Sequence, residues 1–212
     1  SEGPFAAIVE LNPDTGEEIR RRALTPGGAL VGDIEIARSG RIFASDSLAP
    51  RIFDLRAGEP AREITDARFA NLQGVALDEK RRRLFIADYL TGLFVLDLSS
   101  GEVDAIANPS GAHLGGIDGL YLHRGDLIGV QNGTSPQRIV RIDLDRKGET
   151  ARSLEVLQQA LPSWREPTHG VVAGDDFIYI ATSNWPAYDD DGAQKEDARL
   201  EPLRLMSVRL SR

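Results

Sequence analysis

The sequence predicts an all-β fold, a β-propeller of four-stranded antiparallel blades. Three observations carry this. A two-strand motif recurs four times, its copies beginning at Gly32, Gln73, Asp118 and His169, which stand 41, 45 and 51 residues apart. A third-strand motif fills the gaps between them and also stands once before the first. The 3.6-residue apolar period of an amphipathic helix is weak throughout. A blade of four short strands occupies about 40–50 residues, so the interval itself points to a propeller.

In chain order, the first copy of the third-strand motif is A-A-I-V-E-L, from Ala6 to Leu11. The turn N-P-D-T-G-E follows it, where Asn, Pro, Asp and Gly each favour chain reversal. The strand pairs are G-D-I-E-I-A-R-S-G-R-I-F-A-S-D from Gly32, Q-G-V-A-L-D-E-K-R-R-R-L-F-I-A-D from Gln73, D-G-L-Y-L-H-R-G-D-L-I-G-V-Q-N from Asp118 and H-G-V-V-A-G-D-D-F-I-Y-I-A-T from His169. Each pair has a charged or Gly-containing turn at its middle. The remaining third strands are R-I-F-D-L (Arg51 to Leu55), G-L-F-V-L-D-L (Gly92 to Leu98), R-I-V-R-I-D-L (Arg138 to Leu144) and R-L-M-S-V-R-L (Arg204 to Leu210). They are rich in Ile, Val, Leu and Phe and as short as propeller strands are. An outer strand is expected after every third strand except the last. For Val156 to Leu161 the pattern leaves a helical turn and an outer strand both open.

Seventeen strands are expected in this way across the 212 residues. They make one domain: a blade remnant at 5–25 and blades at about 30–67, 72–108, 117–160 and 168–212. That is about four and a quarter blades. The leftover third strand, and the absence of an initiator Met at Ser1, lead to the expectation of a six-bladed ring with nearly two blades upstream. The alternative is a complete four-bladed propeller with a spare strand.

Composition narrows the function. Apolar residues make up 41% and charged residues 27%, ordinary for a globular domain with a sizeable core. The formal net charge of -8 disfavours a phosphate backbone as partner, so nucleic acid is not expected. No apolar run approaches the ~18 residues of a membrane span. With no cysteine in the chain, disulfides, thiol catalysis and cysteine metal sites are excluded. There is no G-x-S-x-G elbow and no phosphate-binding Gly loop. The expected partner is a small-molecule substrate or ligand.

The first strand of each blade lines the axis, so the residues opening those strands mark the channel mouth: Gly32, Gln73, Asp118 and His169. A second column closes the second strands: Asp46, Asp88, Asn132 and Thr182. Asp46 and Asp88 read as acceptors for the backbone N–H groups of the following turns. Asp118 heads a strand and points to a shared axis, where a carboxylate is costly unless paired or bound to a cation. His169 suits acid–base work near neutral pH, set against the commoner satisfied core histidine. His123 reads as a solvated turn residue, and His113 as a residue overhanging the mouth. The D-D-D-G run from Asp189 to Gly192 lacks the alternating ligands of a calcium loop and reads as an acidic turn. Trp185 and Tyr188 form a candidate aromatic rim.

The blades beginning at Gly32 and Gln73 resemble the recurring motifs "N-D-I-A-V-D-P-D-G-x-I-Y-V-T-D-S" and "N-G-I-A-L-S-P-D-G-x-x-L-Y-V-A-D-S" of the six-bladed senescence-marker-protein-30/gluconolactonase-like family, within the superfamily that includes NHL-repeat proteins. The resemblance implies a calcium ion, or another divalent cation, on the axis, and metal-assisted hydrolysis of a lactone, ester or phosphotriester. Carried over residue by residue, the family's Asp ligand falls on Asp118 and its Asn ligand on Gln73, a departure. A substrate-contacting Asn falls on Gly32, a second departure. Asn132 or waters would complete the shell. The expected roles are therefore Asp118 and His169 in catalysis, Asp118, Gln73 and Asn132 on the metal, and Asn132, Gln73, Trp185 and Tyr188 on substrate. The resemblance also leans toward an exported, periplasmic bacterial protein. The alternative is a non-catalytic NHL-like propeller that binds a small ligand or a protein through its end-face loops.

Overall fold

The computed structural model describes residues 6–25, 27–189 and 192–210. Among them the chain forms seventeen strands and one 3₁₀ turn at Trp185–Ala187. A hairpin of β1 (Ala6–Leu11) and β2 (Glu18–Thr25) comes first. Blade 1 contains β3 (Val31–Ile36), β4 (Ile42–Asp46), β5 (Arg51–Leu55) and β6 (Arg62–Ile64). Blade 2 contains β7 (Leu72–Asp78), β8 (Arg83–Asp88), β9 (Gly92–Asp97) and β10 (Val103–Ala105). Blade 3 contains β11 (Leu120–His123), β12 (Asp126–Gln131), β13 (Arg138–Leu144) and β14 (Ala151–Gln159). Blade 4 contains β15 (Gly170–Ala173), β16 (Asp176–Ile180) and β17 (Leu205–Arg209). Within each sheet the strands pair in sequence order and antiparallel.

The described strands therefore build four propeller blades preceded by a hairpin, the four and a quarter blades expected from the repeat. Three sheets have four strands, the last has three, and β17 pairs only with β16. Val156 to Leu161 does not form a helical turn: β14 runs through it to Gln159.

Blade packing follows from the two-residue period of a strand. In β8, Leu84 and Ile86 face blade 1 and join Phe43 and Ile52 in one core layer. Phe85 and Ala87 face the other way and join Leu127, Val140 and Ile142 of blade 3. Both faces are covered, so R-L-F-I-A-D reads as a continuous apolar run rather than an alternating one. Ile128, Val130 and Ile139 repeat the arrangement against Phe177 and Tyr179 of blade 4. The hairpin packs Ala6 and Ile8 against a layer containing Ala44 and Phe53 of blade 1. Each fully buried Phe or Ile stabilises the stack by about 2–3 kcal/mol.

The inner strands β3, β7, β11 and β15 stand side by side around the axis. Their approach is closest at Gly74, where an added Cβ would lie 2.5 Å from the Leu120 nitrogen and 2.6 Å from the Asp118 carbonyl oxygen. Only glycine lets blades 2 and 3 meet there. The two ends of the blade series are less covered. Ile34 and Ile36 of β3 are exposed, as are Val171 of β15 and Leu205 of β17.

Two sequence expectations are corrected. His123 is not a solvated turn residue. It ends β11 and is buried, with Nε2 3.3 Å from the Asp175 carboxylate across the blade interface. The residue closing the second strand of blade 3 is Gln131, not Asn132. Gln131 is fully buried and does the turn-fixing work of Asp46 and Asp88: its amide donates to the carbonyls of His113 and Gly115, and its oxygen accepts from Arg138.

Candidate functional site

A cavity of ≈ 460 Å³ opens at one end of the axis and takes residues from all four blades. Gly32 and Ser47 come from blade 1, Gln73 and Tyr89 from blade 2, and Asp118 and Asn132 from blade 3. Blade 4 contributes His169, with Glu166, Trp185 and Pro186 from its loops. Of the residues singled out in the sequence, Asp118, His169, Asn132, Gln73 and Trp185 thus converge. Tyr188 does not: it lies outside the lining and bridges to Gln194. His113 is also outside the lining. Asp190 and Asp191 of the acidic run lie outside the described residues.

The register explains the convergence. Asn132 lies one residue past β12, level with Ser47 past β4 and Tyr89 past β8, and all three face the cavity. Asp46 and Asp88, one residue earlier, are fully buried. Asp88 accepts from the backbone nitrogens of Ala70, Asn71, Leu90 and Thr91. Asp46 accepts from those of Leu30, Leu48 and Ala49, and from Arg51.

A hydrogen-bonded chain crosses the cavity floor. The Tyr89 hydroxyl donates to Asn132 Oδ1 at 3.0 Å, and Asn132 Nδ2 donates to Asp118 Oδ2 at 2.8 Å and to the Pro167 carbonyl at 3.0 Å. Two acceptors on one side of the amide and a donor on the other fix its orientation. Asp118 Oδ1 lies 3.8 Å from His169 Nε2. His169 Nδ1 lies 3.5 Å from the Tyr121 hydroxyl, which accepts from the Gly170 nitrogen at 2.7 Å. Tyr121 is steadied by Phe177, with ring centroids 4.9 Å apart.

Sequence reasoning missed Asp33 and Glu35, both on β3. Asp33 sits below the mouth, where its carboxylate accepts from the backbone nitrogens of Val75 and Ile34. Burial raises its pKa to about 6, against the opposing pull of His169 and these two bonds. Burial raises Glu35 to about 7, helped by the charges of Asp33 and Glu79. Burial also raises Asp118, while His169 and the Asn132 amide pull it down. Glu166 is raised by burial and by the Asp118 charge. The signal in the sequence was the D-x-E spacing in G-D-I-E-I, which turns both acids to one face of an inner strand.

The fit to calcium turns on oxygen count, since that ion takes about six to eight. Asp118 is a single carboxylate, and Asn132 presents its amide nitrogen to it rather than its carbonyl. The Gln73 amide nitrogen donates to Asn71, leaving one oxygen toward Gly32. Asp33 spends its carboxylate on backbone donors. Among the described residues no three His, Cys, Asp or Glu side chains are grouped as ligands. As arranged, these residues do not fit a calcium shell.

Fold and site together define a class: a β-propeller with a polar axial cavity at one end. No family model matches the chain, and no curated protein matches it. Solved structures do. A nidogen/laminin complex aligns with TM-score 0.65 at 15% identity, over 84% of this chain and 69% of that one. Virginiamycin B lyase from Staphylococcus aureus, as a catalytically inactive variant with quinupristin, aligns with TM-score 0.62 at 14% identity, over 96% of this chain and 63% of that one. A luciferin-regenerating enzyme aligns with TM-score 0.60 at 12% identity, over 97% and 71%. The chain thus spans just under half to about seven-tenths of the solved structures it resembles. At these identities the likeness is one of fold, shared by an enzyme and by binding propellers.

Proposed function

We propose that the cavity is an acid–base site that hydrolyses a small ester or lactone without a resident metal. The observation that carries this is the Asp118–His169 pair, 3.8 Å apart on the cavity floor, each held from behind by a neutral partner, Asn132 and Tyr121. Ionised Asp118 takes a proton from a water attacking the acyl carbon. Protonated His169 gives one to the alkoxide as its bond to that carbon breaks. Gln73 and Asn132 lie beside the pair, where they would contact the substrate carbonyl and hydroxyl groups.

A second reading is a binding propeller. Trp185 favours it, because it stands 65% exposed on the rim, as an aromatic anchor does. One experiment separates the two: turnover of a lactone and ester panel, with chelator present, by the wild-type chain, Asp118→Asn and His169→Ala. Turnover that survives the chelator and falls at least about a hundredfold in both variants supports hydrolysis. Turnover lost to the chelator refutes the metal-free mechanism, and no turnover at all leaves the binding reading.

A further inference from the structure

The cavity is one-sided in charge. Its lining contains the carboxylates of Asp118 and Glu166, and neither lysine nor arginine. Asp33 lies just below, close enough to act on His169. The nearest arginine in sequence, Arg165, is turned away: its guanidinium donates to the carbonyls of Pro162 and Trp164.

Glu166 is the carboxylate without work inside the protein. Its backbone is fixed by its neighbours: the Arg165 nitrogen donates to the Ala181 carbonyl, and the Thr168 nitrogen to the Ile180 carbonyl. Its side chain makes no hydrogen bond or ion pair with the described residues, whereas Asp118 is held by Asn132 and paired with His169. In the same cavity stand two aromatic residues, Tyr89 and the exposed Trp185. An unpaired carboxylate and an exposed indole in one concave site of ≈ 460 Å³ match an alkylammonium group, which gains Coulomb energy from the first and cation–π energy from the second. An anionic ligand would meet the carboxylates of Asp118 and Glu166.

We infer that the cavity selects ligands bearing a compact cationic group, of the quaternary or alkylated ammonium class, and seats that group between Glu166 and Trp185. This rests on the reading of the cavity as the ligand site and names the ligand class for it. The ammonium end occupies the rim. The remainder of the ligand reaches down toward Asp118 and His169.

The test uses three probes of one shape and different charge: choline, 3,3-dimethylbutan-1-ol and 3,3-dimethylbutanoate. Binding is read by tryptophan emission and by ligand-observed NMR, in wild type, Glu166→Gln and Trp185→Leu. Both positions are at the surface of the mouth, and circular dichroism checks that each variant is folded. The expected result is choline binding about tenfold or more tighter than the alcohol, with no binding of the carboxylate. That preference should fall severalfold in each variant and weaken as salt is raised. Equal binding of choline and the alcohol overturns the inference. So does a choline preference that Glu166→Gln leaves unchanged.

Turnover of acetylcholine and 3,3-dimethylbutyl acetate separates this inference from the proposed reaction. Choline preference with neither ester hydrolysed refutes the hydrolysis and sustains the cation site. Equal hydrolysis of both esters without choline preference does the reverse.

Discussion

Glu35 is a carboxylate held against its own ionisation, and that makes it a measurable liability. It lies on β3 at the end of the axis opposite the mouth, in a depression shared with Arg38, Glu79 and Lys80. Burial, with the charges of Asp33 and Glu79, raises its pKa from 4.5 to about 7. The folded state therefore binds this proton more tightly than the unfolded chain does. Below pH 4.5 both states are protonated and Glu35 costs nothing. Between 4.5 and 7 the unfolded chain ionises first and stability falls, and above 7 the full cost is present. At about 1.36 kcal/mol per pH unit, the interval corresponds to a ceiling of about 3 kcal/mol. Partial solvent access and the nearby Arg38 and Lys80 screen it, so about 1–2 kcal/mol is expected. Glu35→Gln keeps the shape and removes the charge. Urea unfolding at pH 4.5 and pH 8 should give no gain at the lower pH and a gain of about 1–2 kcal/mol at the higher one. A gain equal at both pH values, or a loss at pH 8, would refute the reasoning.

Two further perturbations test other parts of the framework. Asp88→Ala removes the acceptor of four backbone N–H groups and should destabilise by about 3 kcal/mol in chemical denaturation, with Asp88→Asn costing clearly less. Tyr121→Phe leaves the Gly170 N–H unpaired, a cost of about 1–2 kcal/mol. It also releases His169 Nδ1, so the ring-nitrogen NMR shifts of neutral His169 should move from the Nε2–H tautomer toward a mixture.

The repeat made the strands legible because each strand is buried on two faces and its composition is forced. R-L-F-I-A-D has little choice but to be a strand between two others. The turn-fixing roles of Asp46 and Asp88 were legible for a similar reason, since an Asp at a strand end has an obvious use. Blade 3 misled because Gln131 performs that role with a longer side chain and an amide, leaving the adjacent Asn132 free to enter the cavity. Asp33 and Glu35 went unseen because their burial depends on β7 and β11, about 40 and 90 residues further on. His123 was misread because its partner, Asp175, is 52 residues away. The convergence of Gln73, Asp118, Asn132 and His169 was legible from position alone, since a propeller brings equivalent strand positions to one axis. Glu166 and Trp185 reach the same cavity from loops, and loops carry no such register.

The strands at the two ends of the series, β2 and β17, have consequences for how the chain behaves in a test tube. Among the described residues each is bonded along one side only. A strand with a free side is a template for another strand. The guard on the two is unequal. β2 carries Glu18, Arg20, Arg21 and Arg22, a charged row that discourages docking, whereas β17 offers Leu205, Met206, Ser207 and Val208 before its single arginine. Self-association, where it occurs, should therefore begin at β17: two copies pair through the same unguarded edge, so the contact is two-fold and closes at a dimer.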